Sequence, residues 1–580
     1  MVNSLENIDK SKVYVNRIEG LSDLLAEKQD VLIAGTDISI SDNTISSTAI
    51  PSQTGNEGKF LMTNGTSVSW QTVSAGSSGN GIPVSIIEHR RKEISGSTVS
   101  LFWQDPKDTI IDGYVLSSWK STTIVKKEGS YPESPSDGTV VVVNINRNQY
   151  FTTPYEDTQS NPSNWYYRAF PCSTNDVYSL DKRNCFGLVI YGFRISENDT
   201  NPASRVEYLQ YCDNYFYDKC FMNFLTDKFE WGSWRNAFFI PRPCALLYNG
   251  TVDYYLSDTD FNYKEDGATA SDVSNTSYGG NFMMEFPTIY TKKFQENGYI
   301  NVLVSNEKVD DGFECFSCKK SDGTYNEHFY LPMFEGTNLN NVLRSIATNG
   351  KPTGSLNASN EELYATNNGS GWTVTQWADE DLMQVLFMLL FKSTDSQTAL
   401  GYGATGSTSG LTCNNNAALT KGLMYGTASG SSYGMTFLGM HNWWAHRWRR
   451  CVGYMNKNGT WYVKMTRSTI DGSTSSDFNI TADGYINTGI SAPSADTSYI
   501  KVLTLAGENG KYGMLPTVVA GSSTTYYCDA LWTNNGQLNQ CLIGGCVYGG
   551  VAAGAFAVDA IDAPSVTPWN HGASPSYRPL

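Results

Sequence analysis

Alternation of apolar and polar positions recurs along much of the chain and sets the first expectation. Val99, Leu101 and Trp103 alternate with polar neighbours until Gln104-Asp105-Pro106 breaks the run. Thr123 to Lys127, Thr139 to Asn144 and Asn164 to Phe170 read as further strands, with turns at Ile111-Asp112-Gly113 and Ser136-Asp137-Gly138. Several short strands in about 100 residues predict a β-sandwich over 83–182. Farther on, Gly250 to Leu256 and Tyr299 to Val304 read as strands. One helix is convincing, from about Asp379 to Lys392. Leu382, Val385, Leu386, Leu389 and Leu390 mark one face, and Met383, Phe387, Met388 and Phe391 make it apolar nearly all round, which predicts deep burial. Asp379, Glu380 and Asp381 lie near its start, where the helix dipole favours negative charge. A weaker helix is expected over Leu339 to Ala347.

The N-terminal pattern is shorter-ranged. Ile18, Leu21 and Leu25 have a-d-a spacing over little more than one heptad, which is marginal for an isolated helix. Ile38, Ile40 and Ile45 then sit among polar residues, with a turn at Asp42-Asn43. Two short strands do not make a stable domain alone, whereas three copies around an axis would. Ser74 to Gly81 (SAGSSGNG) has the composition of a flexible linker.

Composition sharpens this picture. Over 580 residues, 40% are hydrophobic but only 17% charged, below the roughly 25% of ordinary soluble proteins. Gly 52, Tyr 35 and Trp 14 favour turn-rich β structure. The net charge is −16 and there is no basic run, which disfavours nucleic acid and anionic membrane as partners. The first residues, MVNSLENIDKSKVYV, lack an apolar core segment, so no secretory leader is expected. Cys541 to Val558 carries no charge over 18 residues, but its five glycines favour buried strands and tight turns over a membrane-active segment. The twelve cysteines are irregularly spaced. Cys315-x-x-Cys318 lacks a second pair to complete a zinc site, so reduced, buried thiols are expected, with no metal and no cofactor.

The densest chemical cluster is His441-Asn442-Trp443-Trp444-Ala445-His446-Arg447-Trp448-Arg449-Arg450. Its histidines are spaced i and i+5 with no intervening Glu, which fails the zinc-protease pattern. The leading interpretation is an aromatic staple of the core, with arginines pairing acidic neighbours. The alternative is a sugar platform built on Trp443 and Trp448. Glycosidases need two carboxylates about 5 to 10 Å apart. Asp258 and Asp260 are close in sequence, but that does not define a cleft. No nucleotide-binding loop, GxSxG elbow or Ser-His-Asp arrangement stands out. From Thr524 onward, short apolar strands alternate with loops of Asn, Gly, Ser, Tyr and Trp. That mixture supplies rigid aromatic anchors and adaptable hydrogen-bonding groups, as carbohydrate and protein recognition both require.

Resemblances add to this reading. LLAEKQDVLIAGTDISISDNTIS, followed by GKFLMTNGTSVSWQTV, resembles the shaft and attachment segments of bacteriophage tail and head fibres, which implies a homotrimer attached to other virion proteins. VSLFWQDPKD, IVKKEGSYPESPSDGTVVV and NWYYRAFPCSTNDVYS resemble a fibronectin-type-III-like spacer of phage structural proteins. LWTNN, LIGG, GAFAV and PWNHGAS resemble the C-type-lectin-like fold of phage receptor-binding tips, shared with diversity-generating-retroelement targets and formylglycine-generating-enzyme-like domains. YGFRISENDTNPASRVEY, TVDYYLSDTD, ASDVSNTSYGGNFMMEFP, FKSTDSQTALGYG and WWAHRWRRCVGYMNKNGTWYVKM resemble segments of phage fibre heads with that ending. The expected fold is therefore mainly β with an α+β head. Residues 1–73 form a virion-attachment shaft, 74–82 a linker, 83–182 a fibronectin-III-like sandwich and 183–580 a lectin-like head.

In that fold the ligand surface lies on loops near the C-terminus. The resemblance places it at Trp532, Asn534, Asn535, Cys546, Tyr548, Trp569, Asn570, His571 and Ser576, each expected at an exposed loop tip. Two departures limit the transfer. No Glu-Pro-Asn or comparable acidic calcium loop is present, and the paired active-site cysteines of the oxidase relatives have no clear counterpart. The implied role is adsorption to a bacterial surface glycan or protein by a virion fibre, without catalysis or membrane insertion. The alternatives are a head fibre or capsid decoration that binds mucus glycans or another virion protein and, behind it, a glycan depolymerase.

Overall fold

The computed structural model describes residues 82–579 apart from 112–113, 321, 407–409, 412, 466–476 and 482–483, together with the backbone of four short strands within 38–72. The chain is mainly β and divides into two compact units, Met1–Asn184 and Cys185–Leu580. The expected heptad over residues 18–25 and the linker over 74–81 lie outside the described residues.

In the first unit, Ile38–Ser41 pairs antiparallel with Thr44–Ser47, with Ile40 opposite Ile45, and Lys59–Thr63 pairs with Val68–Thr72. Two antiparallel sheets follow. In one, Thr98–Gln104 lies between Glu88–Ser95 and Tyr155–Thr158. In the other, Trp119–Glu128 lies between Thr139–Asn144 and Trp165–Ser173. Val99, Leu101 and Trp103 are fully buried, as period-2 alternation requires of one face, and so are Ile124, Val125, Tyr167, Ala169 and Phe170. Asp105, just past the strand end, is a buried hub. Its carboxylate accepts hydrogen bonds from Trp103 Nε1 (2.9 Å), Asn144 Nδ2 (2.8 Å) and the Asn148 N–H (2.7 Å). The proline that stops the strand thus leaves an acid that ties three segments together.

Among the described residues, the second unit is built on two larger sheets and one long helix. Trp377–Phe391 is buried at every position, and the αL residue Lys392 ends it. One sheet runs in the order Val252–Tyr255, Arg242–Leu247, Gly280–Pro287, His328–Pro332, Pro575–Tyr577, Trp372–Val374. The last strand of the chain therefore sits inside this sheet. The other sheet runs Ile486–Ser491, Thr460–Val463, Trp448–Lys457, Leu538–Ile543, Val558–Ala560, Ala530–Thr533, Ser498–Leu505, Met514–Val519, and curls into a nearly closed barrel.

The three acids at the start of the helix each meet a cation from elsewhere. Asp379 pairs with Arg578, Glu380 with Arg449, and Asp381 with Lys293 at 2.5 Å. All six side chains are almost fully buried. These pairs attach the helix to the C-terminal residues, to the long strand Trp448–Lys457 and to Tyr290–Glu296.

The expected helix over Leu339 to Ala347 is instead a hairpin. Thr337–Leu339 pairs with Val342–Arg344, and the connecting Asn340 and Asn341 have φ of 56° and 62°. Two successive positive φ values make the turn whose twist matches a two-residue hairpin, and asparagine tolerates them best among non-glycine residues. A helix without a clear apolar period lies at Ala358–Thr366, N-capped by Asn357 Oδ1, which accepts the Asn360 N–H at 2.8 Å. The uncharged run Cys541 to Val558 contributes the buried end of the strand Leu538–Ile543, a short 3₁₀ turn and the start of Val558–Ala560. Among the described residues no helix is long and apolar enough to cross a membrane. All twelve cysteines are buried and none is bridged.

Candidate functional site

The C-terminal run is largely core. Residues 539–547, 552–560 and 571–578 are buried, and exposure concentrates in 532–537, 548–551 and 561–570. This corrects the expectation that the late loops as a whole face outward. Three expected contact residues fall on the wrong side of that division. Cys546 is buried beneath the loop that carries Tyr548, and burial pushes its thiol up. His571 is buried because it pairs in parallel register with Trp448. Ser576 lies in an interior strand and donates its hydroxyl to the Val374 carbonyl at 3.0 Å. None of the three stands at a loop tip.

Trp532, Tyr548, Trp569 and Asn570 are linked through Trp448 and Cys546, whereas Asn534 and Asn535 stand by Asn456. Trp532, half-buried at the end of its strand, donates Nε1–H to Thr497 Oγ1 at 2.8 Å. Its ring meets buried Trp448 edge to face, with centroids 5.3 Å apart at 84°. Trp448 packs with Leu542, Cys546 and Ala557, and its N–H donates to the Asn570 carbonyl at 2.9 Å. Asn570 Nδ2 approaches Cys546 Sγ at 3.7 Å. Next to Asn570 stands Trp569, 37% exposed, in edge-to-face contact with Tyr548, 49% exposed, at 5.3 Å and 88°. An outward Tyr–Trp pair therefore joins a buried Trp–Cys layer through Asn570. Val551, also exposed, adds apolar surface on the loop of Tyr548.

Asn534 and Asn535 occupy the turn before Leu538–Ile543. Asn534 is exposed and its Oδ1 accepts the Gly536 N–H at 3.0 Å. Asn535 has a structural task instead: its Oδ1 accepts from Asn456 Nδ2 at 2.9 Å, and its Nδ2 donates to the Ala492 carbonyl at 3.1 Å.

Ionisable groups lie under the surface rather than on it. The His571 ring is 3.5 Å from Asp562, but burial, with Arg450 and Arg447 nearby, holds its pKa down at about 3, so the contact joins a neutral imidazole to the acid. Burial pushes the Asp559 carboxyl up to about 7, against the hydrogen bond it accepts from the Ile561 N–H at 2.9 Å.

The aromatic staple expected over 441–450 is present. Trp443, Trp444 and Trp448 are buried. Arg449 pairs with Glu380 and lies 3.7 Å from the Trp443 ring centroid, and Arg450 pairs with Glu361. Arg447 instead donates to the carbonyls of Pro352 and His571.

The same segment holds a constellation that sequence spacing did not reveal. His446 Nδ1 bonds the Glu335 carboxylate, and Asn442 Nδ2 reaches Glu335 Oε2 and Cys413 Sγ, each at 2.9 Å. Burial opposes charge on all three groups, yet their mutual attraction outweighs it. Glu335 and Cys413 raise His446 to about 10, His446 and His441 bring Cys413 down to about 6, and Glu335 is lowered. Cys413 is 1% exposed and His446 0%, so the cluster lies in the interior. Glu335 and Cys413 lie far from the histidines in sequence, and only folding joins them.

Asp258 pairs with Arg235, and Asp260 Oδ1 accepts the Asn262 N–H at 3.0 Å, so both have local structural partners. Among the described residues no group of three His, Cys, Asp or Glu side chains is placed to hold a metal ion. No protein-family model matches the chain, and no curated protein matches it.

Proposed function

We propose that the chain is a bacteriophage virion fibre protein whose second unit adsorbs to the host bacterial surface through the patch built on Tyr548 and Trp569. The observation that carries this reading is the exposed edge-to-face ring pair, next to Asn570 and the Trp448–Trp532 pair. Such a surface offers flat apolar faces at low conformational cost, with amides beside them for hydroxyl or peptide groups. The patch residues supply no nucleophile–base pair at the surface, which favours reversible binding over chemistry.

The sequence resemblances supply the rest of the proposal. The second unit is a C-type-lectin-like head, the two sheets of the first unit are a fibronectin-III-like spacer, and the N-terminal hairpins belong to a trimeric shaft docked on the particle. Three heads per fibre, and several fibres per virion, raise effective affinity without any new contact.

The test is adsorption of the full-length protein to candidate host cells, comparing wild type with Trp569→Ala and Tyr548→Ala. Both variants are expected to fold and to lose cell binding. Wild-type adsorption by both folded variants would remove the patch from the function.

A further inference from the structure

The second unit carries an open trough whose lining shares no residue with that patch. Two basins, of about 360 and 530 Å³, share Arg235, Asp258 and Leu423 as common walls, so they form one continuous depression with the Arg235–Asp258 ion pair as its saddle. Each basin falls within the roughly 300–1,000 Å³ of small-molecule sites.

Backbone contacts hold the walls in place. The Phe261 N–H donates to the Leu419 carbonyl at 2.8 Å, which ties the loop of Asp258 to the loop of Lys421. Gly422, at φ 67°, lets those loops meet: a Cβ there would sit 3.0 Å from the Asp258 carbonyl oxygen. Trp231 is braced by Phe229, edge to face at 5.0 Å, and its carbonyl accepts from Cys220 Sγ at 3.2 Å. This depression is therefore built on fixed loops.

Its chemistry narrows the ligand. Asp227, Asp258 and Glu265 face Arg235, Arg242 and Lys421, so the trough has no net charge. Arg242 Nη2 lies 3.0 Å from Glu265 Oε1, and the Lys421 ammonium lies 4.0 Å from the Tyr425 ring centroid. A polyanion finds no excess of cations here, and the chain around it carries −16. A purely apolar ligand would strip water from these charged groups and return no hydrogen bond to them. A neutral ligand rich in hydroxyls, with apolar ring faces, satisfies both constraints, and the two basins in line favour more than one ring.

We propose that this trough binds a neutral pyranose oligomer, and that it does so independently of the Tyr548–Trp569 patch. No residue is shared between the two, and the inference does not rest on the adsorption role.

The experiment titrates the full-length protein with maltohexaose, cellohexaose and chitopentaose at millimolar concentration, followed by calorimetry and ligand-observed NMR, with a heparin-derived hexasaccharide as the anionic comparison. At least one neutral oligomer is expected to bind. Trp231→Ala should weaken it about tenfold or more, Asp227→Asn several-fold, and Trp569→Ala not at all. Asp227 is exposed, so its variant decides the matter if Trp231→Ala fails to fold. The proposal is overturned if no neutral oligomer binds, if only the anionic one does, or if binding is lost in Trp569→Ala but kept in Asp227→Asn. Loss of cell adsorption with intact oligomer binding would leave this site standing while removing the patch.

Discussion

Arg449 and Glu380 face each other through two parallel hydrogen bonds, Nε to Oε1 and Nη2 to Oε2, each 2.8 Å long, with both side chains almost fully buried. The pair joins the start of the buried helix to the strand that begins at Trp448, the ring on which Trp532 rests. Burial pushes the Glu380 carboxyl up, and the guanidinium pulls against it. Removing one partner leaves a buried charge alone. Glu380→Gln or Arg449→Met is therefore expected to lose about 3–5 kcal/mol in denaturant unfolding. Replacing both with apolar residues should recover much of the loss. A loss in the double variant equal to the sum of the two single losses would refute coupling between them.

At the surface, Tyr548→Ala and Trp569→Ala should each weaken cell binding by roughly 2 kcal/mol, about thirtyfold, because exposed aromatic anchors dominate such interfaces. Ser576→Ala should lower stability slightly and leave binding unchanged, since its hydroxyl serves the Val374 carbonyl. A binding defect in Ser576→Ala at full stability would show that the division between buried and exposed residues is misdrawn.

Asp559 makes stability depend on pH. Its folded pKa of about 7 lies above the ordinary value of 3.8, so between those limits the folded chain keeps a proton that the unfolded chain releases. This contribution is complete below about pH 4 and is lost as pH rises through 7, by about 1.4 kcal/mol per pH unit at most. Depressed His571 acts in the opposite direction as pH falls from 6.5 towards 3. The difference between wild type and Asp559→Asn isolates the carboxyl. The variant should be the more stable above neutrality, with the gap closing in acid. A gap independent of pH would show that Asp559 does not titrate in this range.

The Cys413–His446–Glu335 cluster predicts a thiolate inside the folded second unit at neutral pH. Between about pH 6.5 and 9 the thiolate–imidazolium pair and the unfolded thiol and imidazole hold the same single proton, so this cluster adds no slope there. Below that range the unfolded chain binds the extra proton, and above it the folded chain retains one longer. Stability from the cluster therefore falls on both sides. Thiolate ultraviolet absorbance should be present in the native wild type at neutral pH, and absent in Cys413→Ser and after acidification below 6. Glu335→Gln should cost about 3–5 kcal/mol. Absorbance unchanged by Cys413→Ser would assign the thiolate elsewhere or nowhere.

Gly250 has φ 82°, and a Cβ there would collide with the Tyr577 hydroxyl. Gly250→Ala is expected to cost about 1–3 kcal/mol, with the local backbone strained and the C-terminal strand displaced. A thermal melt at the wild-type midpoint would show that the Tyr577 ring moves aside freely.

How much of this was legible beforehand follows from the range of the forces involved. Alternation at Val99, Leu101 and Trp103 and the all-round apolar run Leu382 to Phe391 are local patterns, and they located a buried strand and a buried helix directly. The aromatic staple at 441–450 was also readable, because so many rings in one segment need a core. Leu339 to Ala347 misled because short apolar runs do not distinguish helix from strand, whereas Asn340-Asn341 marked the turn.

By itself, then, the sequence determined the mainly β character, the one long buried helix and the late clustering of rings and amides, since these depend on periodicity and composition. Only the tertiary structure decided that Tyr548 and Trp569 face outward while Cys546, His571 and Ser576 face inward. It alone joined Asp379 to Arg578, and Cys413 to His446 and Glu335. Burial and ion pairing are set by which distant segments share a space, and neither residue type nor local spacing carries that information.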